Sequence, residues 1–347
     1  MRAVQLVEWQ AEPELREVPE PEPGPGEVLV KVSAAGLCHS DLHVMEWPEG
    51  TLPYRLPFTL GHENAGVVSA LGPGASGVEE GDAVLVYGPW GCGMCWRCAQ
   101  GSGNLCERAE ARHGHGGGLG FDGGLAEYLV VPSATMLVPI GDLDPVQAAP
   151  LTDAALTPYH AIKSSLHLLR PGSSVVVIGV GGLGHVAIQL LKALTPSRIV
   201  AVDARDSAAE LALELGADAA LRAGEGTAED VRAETGTSGA TLVLDFVGSD
   251  DTVALAARAL GVGGHAAIVG VGGGTFPVAF GSVPLASSVS MPNWGSLPEL
   301  IELVALARSG LLDIRVERLG LDETRQGYRR LRAGDVVGRV VVVPADG

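Results

Sequence analysis

The residues from Ser174 to Gly184, SVVVIGVGGLG, constrain the fold of this chain more than any other stretch. A β-branched apolar run ends in glycines spaced G-x-G-x-x-G, and residues Leu183 to Leu194 beyond it have the length of a helix. That is the strand–turn–helix context in which such glycines bind a dinucleotide. Gly179 makes the tight turn, Gly181 lets backbone approach a pyrophosphate, and Gly184 lets the helix pack on the strand, with Gly182 and Leu183 completing the loop. The free N–H groups and positive dipole end of the helix then face the phosphates. Asp203 ends the next predicted strand, Arg198–Val202, 19 residues after Gly184. Its carboxylate can accept from ribose hydroxyls and would repel a 2′-phosphate, so NAD is expected rather than NADP; Arg205, two residues on, is the opposing signal.

Around this motif strands and helices alternate. Strands are expected at Ala219–Leu221, Leu242–Leu244 and His265–Val269, and helices at Ser207–Leu215 and Leu297–Ala307. Such alternation implies a doubly wound parallel sheet. Before about Val131 the grammar differs: short apolar alternations such as Val28–Val32, Ala65–Ser69 and Ala83–Tyr87 are separated by Gly and Pro and read as strands. The stretch Glu12–Glu27, with five prolines among its glutamates, reads as a solvated loop or sheet edge. The last segment, ending in the strand Val340–Val343, is too small for a domain of its own and is expected to rejoin the first.

Composition narrows the partners. A net charge of −18 argues against nucleic acid or an anionic membrane surface, since either needs a basic face. Residues 259–298 carry no Asp, Glu, Lys or Arg, but Gly261, Gly263, Gly264, Gly272 to Gly274, Pro277 and Pro284 forbid a spanning helix. The apolar run after Met1 is too short for a signal peptide, so a cytoplasmic location is expected.

The five cysteines are unevenly placed. Cys92, Cys95, Cys98 and Cys106 crowd into one short stretch, where four thiolates can close a tetrahedral zinc site that leaves no position open for catalysis. An iron–sulfur centre shares that ligand set, and a redox dithiol pair is the other alternative. Cys38 stands alone, in Cys38-His-Ser-Asp-Leu-His43, and Gly61-His-Glu63 offers an imidazole. Residue types alone leave these open between a catalytic metal site and core packing. His113 and His115, in a glycine-rich loop, could form an accidental surface metal site; His160, His167, His185 and His265 read as packing or helix-surface residues.

Taken together, GLCHSD at Gly36–Asp41, GHENAGVVSALGPGA at Gly61–Ala75, the cysteine run and GVGGLG resemble the zinc-dependent alcohol dehydrogenases of the medium-chain dehydrogenase/reductase superfamily, over nearly the whole chain. The similarity is greatest to bacterial NAD-dependent enzymes acting on secondary and aryl alcohols. It implies an α/β protein: a GroES-like β-rich catalytic domain over residues 1–152 with a structural-zinc lobe around 90–108, a Rossmann NAD-binding domain over 153–291, and a return to the catalytic domain over 292–347. It implies two zinc ions per chain, the catalytic one held by Cys38, His62 and Asp153, with Glu63 as a transient or alternative ligand. Asp41 would orient His62, Ser40 would bond the substrate oxygen, and His43 would finish the proton path. His39 and Arg339 would approach the pyrophosphate, while Thr157, Val247, Val269 and Val271 would line the nicotinamide. Tyr54, Leu119 and Trp294 are the pocket candidates.

The activity so implied is reversible hydride transfer between an alcohol on zinc and NAD, giving a ketone or aldehyde, in a homo-oligomer, a tetramer before a dimer. Polyol or threonine dehydrogenase chemistry is the alternative within the superfamily, and a non-catalytic NAD-binding protein is the alternative outside enzymes.

Overall fold

A computed structural model describes residues 1–109, 111–236 and 238–344. The chain divides into two compact units: Met1–Leu156 with Trp294–Ser309 and Ile314–Gly347, and Thr157–Asn293 with Gly310–Asp313.

In the second unit six parallel strands lie in the order Ala219–Arg222, Arg198–Asp203, Ser174–Ile178, Ala240–Asp245, Leu260–Ile268, Ser288–Ser290. Every residue of Ser174–Ile178 is buried, as a strand covered on both faces must be, and each valine there contributes roughly 1.5–3 kcal/mol by leaving water. The order of the strands reverses between Ser174–Ile178 and Ala240–Asp245, the switch point where such sheets bind ligands. Helix Gly184–Leu194 starts at the last fingerprint glycine, as its sequence indicates. Helices Leu156–Ser165, Thr227–Thr235 and Asp250–Ala259 carried no clear sequence signal. The second is polar on most faces, and the third is set by tertiary packing and by the Ser249 cap that accepts from Thr252 N–H.

The first unit is a largely antiparallel sheet. Its strands run Leu137–Pro139, Ala83–Val86, Glu63–Leu71, Val28–Gly36, Arg339–Val343, Val316–Gly320, and Tyr128–Val131 also pairs with Val28–Gly36. A second sheet joins Glu14–Glu17, Arg2–Leu6 and Phe58–Thr59; the first of these is the wholly exposed edge within the proline-rich stretch. The core packs Val28, Val30, Val32, Leu60, Val84, Leu125 and Leu129 with residues of the last segment, Tyr328, Leu331, Val340 and Val342.

That last segment is a strand–helix–strand unit. Val316–Gly320 and Arg339–Val343 are parallel, with helix Thr324–Ala333 between them, and Val341 and Val342 pair with Gly36 and Ala35. Three stretches fall differently from expectation, among them residues 292–293, which belong to the second unit. Residues 153–156 belong to the first unit, because Asp153 and Ala154 bond to side chains of that unit, and residues 310–313 belong to the second, tied by Asp313 to Gln189.

Candidate active site and metal centres

Three adjacent strand ends build the site. Val28–Gly36 delivers Cys38 two residues beyond its end, Glu63–Leu71 begins beside His62, and Arg339–Val343 begins at Arg339. The register pairs Gly36 with Glu63, and a Cβ on Gly36 would collide with the Glu63 carboxylate, so glycine is required there. Cys38 caps helix His39–Glu46, and Asp41 in its first turn accepts from Cys38 N–H through Oδ2 at 3.0 Å, one half of a capping box. The other Asp41 oxygen accepts from His62 Nδ1 at 3.0 Å, which turns His62 Nε2 toward Cys38 and Asp153.

Cys38, His62 and Asp153 come together with their ligand atoms all within 4.8 Å of one another. Tetrahedral zinc bonds of ordinary length separate a sulfur and an oxygen ligand by about 3.5 Å and a nitrogen and an oxygen by about 3.3 Å. The Cys38 Sγ to Asp153 Oδ2 distance is 3.5 Å and the His62 Nε2 to Asp153 Oδ2 distance is 3.4 Å. The side chains thus stand at metal-ligand spacing. Charge points the same way: Cys38, Asp41, Glu63 and Asp153 are all buried acids, and Arg339 is the buried cation among them. A cation bound among these buried acids would offset their charge, and a metal at Cys38, His62 and Asp153 would supply it. Burial works against an imidazolium at His62, yet Asp41 and Asp153 hold its pKa well above the ordinary value.

Glu63 is engaged elsewhere. Its Oε1 accepts from Ala154 N–H at 3.0 Å and pairs with the Arg339 guanidinium. Burial pushes its carboxyl up to about 7, with Arg339 pulling in the opposite direction. Arg339 is itself 3% exposed, so its guanidinium is directed at Glu63 inside the first unit.

Ser40 Oγ lies 3.7 Å from Cys38 Sγ, and His43, one turn further along the same helix, stacks on Trp47. Trp294 packs edge-on against the His62 ring with centroids 5.6 Å apart, donates to Thr152 O at 3.0 Å, and adopts φ 53°. A left-handed backbone at a buried tryptophan is strained, and it persists because the ring is held on both sides. Gly88 is one of those sides: a Cβ there would enter the indole. Tyr54 bonds His115 Nδ1 at 2.7 Å and packs edge-on to Phe58, and Leu119 is partly buried against the same core. Burial lowers the His115 pKa and raises that of Tyr54, so both are neutral near pH 7. His39 is exposed.

The second cluster is Cys92, Cys95, Cys98 and Cys106, also within 4.8 Å of one another. Cys92 Sγ and Cys98 Sγ are 4.0 Å apart, against about 3.8 Å for two sulfurs on tetrahedral zinc. Backbone N–H groups of Met94 and Cys95 depress the Cys92 thiol to about 6, whereas burial and the neighbouring sulfurs push Cys98 up to about 12. All four sulfurs could be thiolates at this spacing only with a cation among them, which a structural metal would supply. These two are the groups with metal-ligand geometry among the described residues.

In the second unit Gly179 has φ 86°, and a Cβ on Gly184 would collide with Gly179 O, so both glycines are obligatory. A Cβ on Gly181 would meet nothing within 4 Å, leaving that backbone open to a ligand. Asp203 Oδ2 accepts from Val180 N–H at 2.7 Å, and Oδ1 accepts from Arg205 N–H at 2.9 Å and from its Nε at 3.2 Å. The acid and the arginine that signal opposite cofactor preferences are therefore paired with one another. Thr157 is buried, while Val247 and Val271 are 42% and 55% exposed and Val269 is partly buried. Two residues that sequence reasoning missed are Tyr328, which bonds Asp41, and Asp245, whose Oδ1 holds the Val247 and Gly248 N–H groups; neither lies in a motif.

A parallel dinucleotide-type sheet in one unit and a Cys38–His62–Asp153 cluster at metal-ligand spacing in the other are the features of a metal-dependent oxidoreductase. Family models agree: residues 24–142 match the alcohol dehydrogenase GroES-like domain and residues 182–306 the zinc-binding dehydrogenase domain. An NAD-dependent alcohol dehydrogenase of Sulfurisphaera tokodaii is 34% identical, covering 99% of this chain and 100% of its own. A D-arabinose 1-dehydrogenase (NADP(+)) of Saccharolobus solfataricus is 35% identical over 93% of this chain and 92% of its own. The alcohol dehydrogenase structure from Aeropyrum pernix superposes with a TM-score of 0.92 at 36% identity, covering 99% of this chain and 100% of that one. This chain belongs to the zinc-dependent alcohol dehydrogenase family of the medium-chain dehydrogenase/reductase superfamily, with a GroES-like β-rich domain and a Rossmann domain.

Proposed function

We propose that this chain oxidises secondary, aryl or primary alcohols to ketones or aldehydes with NAD, reversibly, and that it carries two zinc ions. The observation that carries the reading is the Cys38–His62–Asp153 cluster, whose spacing fits zinc and whose three ligands leave a fourth position for substrate. Cys92, Cys95, Cys98 and Cys106 would hold the second, structural ion, and the Gly179–Gly184 turn and Asp203 would hold NAD. Held by Cys38, His62 and Asp153, the metal would supply Lewis acidity at the alcohol oxygen, and NAD held at the Gly179–Gly184 turn would supply the hydride acceptor.

The protein's own part is orientation and proton movement. Asp41 fixes the His62 tautomer. Ser40 would hydrogen-bond the substrate hydroxyl and, as it takes that proton, pass its own hydroxyl proton on toward His43, which finishes the path to solvent. Trp294 forms an apolar wall beside His62 that excludes water, with Tyr54 and Leu119 further round the pocket. Glu63, paired with Arg339, is the reserve ligand when water exchanges. His39, Thr157, Val247, Val269 and Val271 would contact the cofactor. Arg339 reaches the pyrophosphate in this reading only if its guanidinium leaves Glu63.

The test is metal content per chain measured with NADH formation at 340 nm on secondary, primary and polyhydric alcohols and a pentose. Two zincs and fastest turnover on a secondary or aryl alcohol support the reading; two zincs and no turnover on any alcohol overturn it. The pentose is included because Tyr54 and His115 present a hydroxyl and an imidazole, which could receive a sugar hydroxyl. Asp203→Ser is expected to raise NADP use relative to NAD by about tenfold or more, by removing the charge that repels a 2′-phosphate and freeing Arg205; unchanged selectivity would place discrimination elsewhere.

We also read the protein as a cytoplasmic homo-oligomer, a tetramer before a dimer. No helix among the described residues is long and apolar enough to cross a membrane. Ser288–Ser290 leaves an open sheet edge beside the exposed Leu285, Val289 and Met291.

A further inference from the structure

We infer that Tyr328 is a positioning residue for the metal ligand His62, acting through Asp41, so that the last helix of the chain sets the geometry of the catalytic metal centre. This rests on the reading of Cys38, His62 and Asp153 as that centre.

Helix Thr324–Ala333, TRQGYRRLRA, buries Thr324, Gly327, Tyr328 and Leu331, a single stripe, and turns its arginines outward. The stripe sits unusually close to the site. A Cβ on Gly327 would come within 2.7 Å of Leu37 and 2.8 Å of Leu319, so glycine lets the helix approach the residue that precedes Cys38. Tyr328 is thereby driven into the core, 2% exposed, and its hydroxyl donates to Asp41 Oδ2 at 2.9 Å.

Packing alone does not explain the hydroxyl. Phenylalanine would bury the same ring without a polar group to satisfy. What the hydroxyl adds is a second donor on Asp41 Oδ2, beside Cys38 N–H at 3.0 Å. Two donors on that oxygen stop the carboxylate rotating, which aims Oδ1 at His62 Nδ1 and the opposite ring nitrogen at the metal position. One carboxylate thus couples two metal-ligand residues, Cys38 through its backbone and His62 through its ring, to an aromatic residue from the far end of the sequence. Burial and the nearby Asp41 keep the phenol protonated, so it remains a donor.

The experiment follows metal release. Wild type and Tyr328→Phe, loaded with two zinc equivalents, are challenged with excess dipicolinate, and loss from the Cys38 site is timed against loss from the four-cysteine site as an internal reference. Cobalt(II) in the catalytic site gives a second readout through its visible bands. Tyr328→Phe is expected to release catalytic metal about tenfold faster, with shifted cobalt bands and an unchanged four-cysteine site. Placing both changes in one chain, Asp41→Ala with Tyr328→Phe, should release metal no faster than Asp41→Ala alone.

Equal release from Tyr328→Phe and wild type overturns the inference. So does the same extra factor in the Asp41→Ala background, which would mean that Tyr328 acts through packing. A wild-type chain with two zincs but no alcohol oxidation would sink the functional reading while leaving this test readable, because release needs no substrate. A wild-type chain that takes up only one zinc equivalent would sink both.

Discussion

Cys38→Ser is expected to lower the zinc content from two equivalents to one and alcohol turnover by roughly three orders of magnitude or more, with the fold intact. Cys38 is buried, and its Sγ lies 3.5 Å from Asp153 Oδ2. A serine hydroxyl fits the same space and can still bond Asp153, so packing is little disturbed. It is nevertheless a neutral, hard and weakly donating group where the metal needs a thiolate. Losing the Lewis acid removes several kcal/mol of transition-state stabilisation, and each 1.36 kcal/mol is tenfold in rate. Metal analysis, circular dichroism and NADH formation measured on one preparation check all three parts. Two equivalents with near-normal turnover would show that Cys38 is not a ligand.

Cys95→Ser should produce the opposite pattern: a chain that turns over at close to the normal rate when cold but fails on warming. Among residues 92–106, Cys95 is the one buried side chain, while Met94 and Trp96 are 76% and 67% exposed. The loop buries few side chains of its own, so in the proposed reading its order comes from the four sulfurs gathered around a metal. Cys95 also accepts from Cys98 N–H at 3.5 Å and so opens the short helix Trp96–Ala99. Without its metal the loop should become the first region cut by protease, and the onset of aggregation should fall by about 10 °C, since structural zinc contributes several kcal/mol of folding free energy. An unchanged onset would show that the four cysteines do not stabilise the lobe. A large loss of turnover in freshly prepared cold enzyme would count against a purely structural role.

The two clusters with metal-ligand spacing illustrate how differently sequence informs on structure. The four cysteines are readable as a cluster because all lie within one loop, where local chain geometry alone brings them near one another. Cys38, His62 and Asp153 are separated by 24 and 91 residues, and residue types alone left them undecided between chemistry and packing. Only the resemblance to a known family joined them before the coordinates did. The resemblance places Asp153 in the nucleotide domain, whereas Ala154 N–H bonds Glu63 and ties that segment to the first unit.

What the sequence determined by itself is what local rules govern. The β-branched run and glycine spacing of Ser174–Gly184 specify strand, turn and helix, since only glycine can adopt the Gly179 backbone or let Gly184 approach it. Tertiary structure decided the rest. The pairing of Val341 and Val342 with Gly36 and Ala35 sets Arg339 against Glu63, and the close seat of Gly327 carries Tyr328 to Asp41. Tyr328 lies 287 residues from Asp41, in a helix whose sequence shows a run of arginines around one aromatic. A contact of that kind has no local signature. It exists because burial of apolar faces sets the strand register and helix position first, and buried polar groups must then find partners wherever the fold has put them.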